Sequence, residues 1–143
     1  MSDQDAVLLL ENQLCFPLYA AARKVTGLYT PYFKPLGITY TQYIVLLVLW
    51  EKEAATVGDL CKKLYLDNGT VTPLLKKLEE RGYVRRTRST EDERVVMITL
   101  TDEGRALKEE AAKIPLQVGG CVSLSPEEAA TLHSLLYKIL ETV

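Results

Sequence analysis

Leu66-Asp67-Asn68-Gly69-Thr70-Val71-Thr72-Pro73-Leu74-Leu75-Lys76-Lys77-Leu78-Glu79 is the stretch on which the reading of the fold turns. After the polar turn Leu66-Asp67-Asn68-Gly69, Val71, Leu74, Leu75 and Leu78 recur at helical spacing on one side. Gly82 supplies a stop, so the pattern predicts a helix running to about Arg81. The other side carries Asn68, Gly69, Thr70, Thr72, Lys76 and Lys77. Pro73 is tolerated on this reading because it falls near the first turn. Upstream, Thr56-Val57-Gly58-Asp59 opens a short amphipathic helix whose Val57, Leu60, Cys61 and Leu64 face inward. Downstream, Tyr83 to Arg88 and Val95 to Leu100 are β-rich runs that flank the polar tip Ser89-Thr90-Glu91-Asp92-Glu93-Arg94, which reads as a hairpin.

Short helix, polar turn, amphipathic helix and a hairpin with an arginine at its tip follow one another in the order of a winged helix-turn-helix. The physical logic of that order is that the second helix lays its N-terminal half in a major groove while a slim basic hairpin reaches the neighbouring minor groove. Asn68, Gly69, Thr70, Thr72, Pro73, Lys76 and Lys77 would then lie on the reading helix, Asp92 and Arg94 on the wing, and Arg86 and Arg88 against phosphates or the groove edge. Charge agrees with this placement. The 143 residues carry a net −2, but Lys62 to Arg94 holds nine basic against six acidic residues, a local +3, and the remainder carries −5. Such segregation lets one face meet phosphates while the rest stays soluble.

Outward from this module, Thr39-Tyr40-Thr41-Gln42 has capping-box form and opens a helix to about Lys52 that is apolar nearly all round. The N-terminal third reads as helix, with Leu8, Leu14, Leu18, Tyr19, Ala22 and Val25 at helix-like intervals. Pro17 interrupts it, which predicts a start or kink beside Cys15. Tyr29 to Gly37 is a breaker-rich connection with room for a helical turn. Thr101 caps a helix expected to run to about Ile114, after which Pro115 and Gly119-Gly120 loosen the chain. Ser125-Pro126-Glu127-Glu128 then starts a terminal helix with a Leu132, Leu135, Leu136, Ile139, Leu140 stripe. The expected architecture is mainly α. It is a single domain over 1–143, with a winged helix-turn-helix module at 36–101 and dimerisation helices at 5–34 and 102–143. The stripes of those outer helices exceed what a core of about 65 residues can cover, which points to a homodimer.

The run from Leu66 to Glu79, the wing segment Glu91-Asp92-Glu93-Arg94 and Leu100-Thr101-Asp102-Glu103-Gly104 together resemble the MarR family of dimeric winged-helix regulators. With Leu10-Glu11-Asn12-Gln13-Leu14-Cys15-Phe16 and Ile38-Thr39-Tyr40-Thr41-Gln42-Tyr43 added, the chain is similar to the organic-hydroperoxide-sensing repressors of that family. The resemblance implies double-stranded operator DNA as partner, an organic hydroperoxide as signal, and Cys15 as the peroxide-reactive residue. It implies that Tyr29 and Tyr40 supply phenol hydrogen bonds to Cys15, with Tyr40 coming from the partner subunit. It also implies, in the two-cysteine members, a C-terminal cysteine of the other subunit, here Cys121, as the resolving thiol; the alternative is that Cys121 is incidental and a small cellular thiol caps Cys15.

The residues themselves are compatible with that chemistry. Peroxide is reduced by a thiolate, and a helix start beside Cys15 would place free backbone donors and the positive end of a dipole next to the sulfur. Tyr19, four residues on, shares its face. Read without the resemblance, Cys15 is better taken as a buried core cysteine with tyrosines serving as packing, and a pocket for a phenolic ligand or a thiol peroxidase remain competing functions. Cys61, on the inward stripe of the short helix, reads as a core residue. His133, the lone histidine, makes no metal set with three scattered cysteines, so no cofactor or metal is expected. No acid-base or nucleophile triad is visible, so the chain reads as a non-enzyme. An odd number of cysteines, no basic n-region near the start and no apolar run longer than Ile44 to Trp50 point to a soluble protein of a reducing compartment, the cytoplasm.

Overall fold

Side-chain caps set most of the helix starts. The computed structural model describes residues 2–143, so Met1, the first residue of the expected domain, lies outside it. In chain order the elements are α1 (Asp3–Val7), α2 (Cys15–Gly27), α3 (Thr30–Phe33), α4 (Tyr40–Lys52), β1 (Ala54–Thr56), α5 (Val57–Leu64), α6 (Asn68–Glu80), β2 (Val84–Arg88), β3 (Val96–Leu100), α7 (Asp102–Ala111), α8 (Ile114–Gly119) and α9 (Pro126–Thr142). Capping boxes close at Thr39 with Gln42, at Thr56 with Asp59 and at Ser125 with Glu128, and Asp67 and Thr101 cap α6 and α7. Each satisfies backbone donors that the first helical turn leaves free.

α6 ends as its glycine demands. Gly82 adopts φ 83°. Its N–H donates to the Glu79 carbonyl at 2.9 Å and the Tyr83 N–H donates to the Leu78 carbonyl at 3.0 Å, the paired bonds of a Schellman stop. The chain then reverses directly into β2. β2 and β3 pair antiparallel with Val84 opposite Leu100 and Arg88 opposite Val96. A third strand, β1, joins the far side of β3 with Ala55 opposite Ile98, giving the order β1-β3-β2. The sequence reading missed β1, because three residues show no periodicity and exist as a strand only through their long-range partner.

The core gathers Leu46 and Leu49 of α4, Leu60 of α5, Val71, Leu75 and Leu78 of α6, and Ile98 of β3, all at 0% exposure. Each such side chain contributes roughly 1.5–3 kcal/mol by leaving water. Phe33, Leu107, Ala111, Ile114 and Val118 belong to the same cluster, so the buried core reaches beyond both limits of a 36–101 module. α7 stops at Ala111 rather than near Ile114. Pro115, expected to loosen the chain, instead occupies the first turn of α8, where its missing N–H is harmless and Ile114 and Val118 are buried. At the other end, the expected long helical stretch is broken: Leu8 and Leu14 lie outside α1 and α2, and both are largely exposed.

α2 and α9 bury none of their own residues. A compact 16.0 kDa monomer would expose about 7,400 Å², whereas this chain exposes 10424 Å². Part of the difference is apolar: Phe16, Leu18, Tyr19, Leu132, Leu135, Tyr137, Ile139 and Leu140 are all exposed, by 40% to 61%. No helix among the described residues is long and apolar enough to cross a membrane.

Candidate nucleic-acid interface and thiol site

α6 and the wing face each other across an open cleft of about 640 Å³, lined among others by Thr56, Asn68, Thr72, Lys76, Arg86, Arg88 and Arg94. The helix periodicity that buries Val71, Leu75 and Leu78 turns Asn68, Gly69, Thr70, Pro73, Lys76 and Lys77 outward; Thr72 is half-buried at the cleft wall. Pro73 is the sixth residue of α6 and lies inside the helix rather than near its first turn, leaving the Gly69 carbonyl without its usual donor.

The wing holds its cations by local anchors. Asp92 grips Arg94 twice, with Arg94 Nε and Nη2 donating to Oδ1 and Oδ2 at 3.1 and 3.2 Å, and also accepts the Arg94 backbone N–H at 3.0 Å. These bonds hold the Asp92 carboxyl below the usual carboxylate range, the Arg94 side chain being the larger cause. Asp92 therefore aims a guanidinium that is itself 90% exposed. Arg88 donates to the Glu93 carbonyl at 2.9 Å. Arg86 is the least free of the three, since its backbone N–H donates to Glu79 Oε2 at 2.9 Å and its Nε lies 3.4 Å from Glu79 Oε1.

Sequence reasoning missed what the α5 start and Glu79 contribute to this cleft. Thr56, Val57 and Gly58 also line it, Thr56 lying opposite Met97 of β3. Glu79 meets Arg86 across the helix-to-strand reversal, a pairing that no helical or strand spacing announces. Cys61 is half-buried rather than fully in the core, and its Sγ donates to Asn68 Oδ1 at 3.2 Å.

The thiols sit elsewhere. Cys15 is the first residue of α2, where Leu14 offers no side-chain cap and Pro17, two residues on, brings no donor. The predicted break thus appears as a true helix start, and Cys15 is exposed beside uncapped backbone N–H groups. Tyr19, one turn along, is exposed beneath the Arg23 guanidinium, 5.4 Å from its ring centre. Tyr29 and Tyr40 come together, with ring centres 5.1 Å apart, in an aromatic cluster with Phe33 and Tyr43. Burial first, and Tyr29 second, pushes the Tyr40 phenol up, so it remains an O–H donor at neutral pH. Cys121 follows α8, exposed, its Sγ 3.5 Å from the Gln117 carbonyl. Among the described residues, neither Cys15 nor Cys121 is in a disulfide, and Cys15 has no hydrogen bond to a tyrosine of its own chain. Also among them, no group of three or more histidine, cysteine or acidic side chains is placed to hold a metal ion.

A reading helix and an arginine-bearing wing around a cationic cleft define a winged-helix DNA-binding protein. Residues 27–111 match the family described as transcriptional regulator SarA/Rot. The chain is 51% identical over 134 residues to the organic hydroperoxide resistance transcriptional regulator of Bacillus subtilis, covering 94% of this chain and 91% of that one. It belongs to the MarR/SarA family of winged-helix transcriptional regulators. Reduced AbfR bound to DNA, a protein of Staphylococcus epidermidis, superposes with TM-score 0.78 at 34% identity over 98% of both chains. The disulfide-formed state of AbfR superposes less well, at 0.66 with 36% identity over 96% of both chains. A cysteine-to-serine mutant of MarR from E. coli, complexed with operator DNA, gives 0.81 at 28% identity, covering 98% of this chain and 99% of that one.

Proposed function

We propose that this protein is a cytoplasmic, homodimeric repressor that binds operator DNA when reduced and leaves it when an organic hydroperoxide oxidises Cys15. The observation that carries the proposal is Cys15 itself: an exposed thiol at an uncapped helix start, in a helix that buries nothing within its own chain. The Cys15 thiolate attacks the terminal peroxide oxygen, the O–O bond breaks, and the alkoxide takes a proton to leave as an alcohol. Cysteine becomes sulfenic acid in this two-electron step. The Cys121 thiolate of the other subunit then attacks that sulfur, forming the S–S bond and expelling hydroxide, which is released as water.

Tyr40 and Tyr29 act as phenol donors at the reacting oxygen. Cys15 lies on a helix whose apolar face is uncovered in one chain, and the partner's aromatic cluster is the complementary surface that brings phenol to thiol. Base edges are read by Asn68, Thr70 and Thr72, with Gly69 and Pro73 letting the helix approach closely. Lys76, Lys77, Arg86 and Arg88 hold phosphates, and Arg94, aimed by Asp92, enters the minor groove. The better superposition on DNA-bound AbfR than on its disulfide form supports a DNA-competent conformation here, and the name of the Bacillus subtilis relative supports the signal. Linking two subunits through Cys15 and Cys121 would displace the α6 helices from half-site spacing.

Intact-mass spectrometry after one equivalent of cumene hydroperoxide tests the chemistry. The expected product is a covalent dimer whose digest contains a Cys15–Cys121 peptide. Cys121→Ser should instead gain one oxygen at Cys15. An unmodified Cys15, with oxidation elsewhere, would overturn the proposal.

A further inference from the structure

β2 is one of the two edge strands of the sheet, and the Arg86 N–H points away from β3. An edge N–H must find a partner or remain with water. It finds Glu79, near the end of α6, at 2.9 Å from Oε2, and the other carboxylate oxygen lies 3.4 Å from Arg86 Nε. One side chain therefore ties the reading helix to the first strand of the wing, close to where the chain reverses. Arg86 Nε is shut off from solvent and completes no hydrogen bond of good geometry. Arg86 itself lines the cleft with Lys76, Arg88 and Arg94, and with Nε beside Glu79 its Nη atoms are the ones left to meet a ligand there.

An acid in a surface that meets a polyanion is a Coulombic liability, unless its position matters more than its charge. We infer that Glu79 is a positioning residue for DNA binding: it fixes the opening between reading helix and wing and presents the Nη edge of Arg86 to a backbone phosphate. This rests on the proposed DNA-binding role of the cleft and assigns within it a residue whose charge alone would argue against it. Removal of Glu79 then has opposite predicted signs on the two accounts. By charge alone, a variant without the acid binds DNA more tightly. By positioning, the guanidinium swings free, the cleft loses its set width and binding weakens.

The test is operator affinity as a function of salt for Glu79→Gln, Glu79→Ala and Arg86→Ala. The probes are a duplex that the reduced wild-type protein selects from a random-sequence pool, and an unselected duplex. Gln keeps an acceptor for the Arg86 N–H and lacks the charge that holds Nε, so it should lose a few-fold in affinity. Ala loses both bonds and should lose about tenfold, with the slope of log affinity against log salt shallower by about one, as for Arg86→Ala. The Glu79→Ala, Arg86→Ala double variant should be no weaker than either single one. Affinity that stays equal or rises in both Glu79 variants, with unchanged thermal unfolding, overturns the positioning role while leaving the DNA-binding reading intact. A wild-type protein that selects no duplex overturns both.

Discussion

At the scale of single residues, the chemistry depends on which protons stay in place. Tyr40 carries its proton at neutral pH as tyrosines ordinarily do, and burial, with Tyr29 adding to the effect, raises its pKa further. The neutral form is the one the fold favours. Its contribution to stability is therefore fully present below the ordinary tyrosine value near 10 and is lost as pH rises through the higher folded-state value. At neutral pH Tyr40 should not titrate. Phenolate absorbance followed to high pH should show a late-ionising fraction in the wild-type protein that is missing from Tyr40→Phe. The same variant should react with cumene hydroperoxide about tenfold more slowly, as expected of a lost donor at the leaving oxygen, while its DNA affinity is unchanged. An early-titrating Tyr40, or undiminished reactivity, would remove it from the site.

At the scale of elements, α6 carries a local cost. Pro73 leaves the Gly69 carbonyl unpaired in the second turn, and an interior proline costs a helix up to about 3 kcal/mol against alanine. Proline returns only about 0.4–1 kcal/mol by restricting the unfolded chain. Pro73→Ala should accordingly stabilise the fold by about 1–2 kcal/mol, a rise in Tm of a few degrees by differential scanning calorimetry. Operator affinity should fall if the proline's flat surface is part of the approach to the groove. The legibility of the elements follows from where their causes lie. Thr39, Thr56, Thr101 and Ser125 mark their helices because a cap is a contact over three residues, and Gly82 marks a stop for the same reason; Asp67 caps α6 from within a stretch that reads as the preceding turn. β1 and α8 were illegible because β1 exists only through Ile98 and its neighbours in β3, and α8 is a six-residue helix opened by a proline more often read as a breaker. Glu79 was missed likewise, since its partner is fixed by the reversal at Gly82. The helix start beside Cys15 was legible in the Pro17 break, and the thiol site itself was proposed from family resemblance. Its spatial assembly was not legible, because a single chain brings Tyr29 to Tyr40 but leaves Cys15 without either.

For the molecule as a whole, the area balance decides. An exposed surface about 3,000 Å² above that of a compact chain of this mass is on the scale of an obligate interface. Apolar side chains of α2 and α9, among them Phe16, Leu18, Leu132 and Leu135, contribute to it. Placing charge there, as in Leu132→Asp with Leu135→Asp, should shift the protein from dimer to monomer in sedimentation velocity. The variant should also lose operator binding, because a lone module reads only one half-site. A variant that stays dimeric would place the interface elsewhere. On the proposed mechanism, each Cys15 takes its phenol donors and its resolving thiol from a second chain, so dimerisation and sensing are one property.

The most direct measurement is operator binding by fluorescence anisotropy, using the reduced dimer before and after one equivalent of cumene hydroperoxide, with Cys15→Ser in parallel. The account predicts that the wild-type protein binds and then releases the duplex, that thiol reductant restores binding, and that Cys15→Ser binds throughout. Release by Cys15→Ser on peroxide treatment, or retention of DNA by a wild-type protein whose Cys15 is fully oxidised, would contradict it.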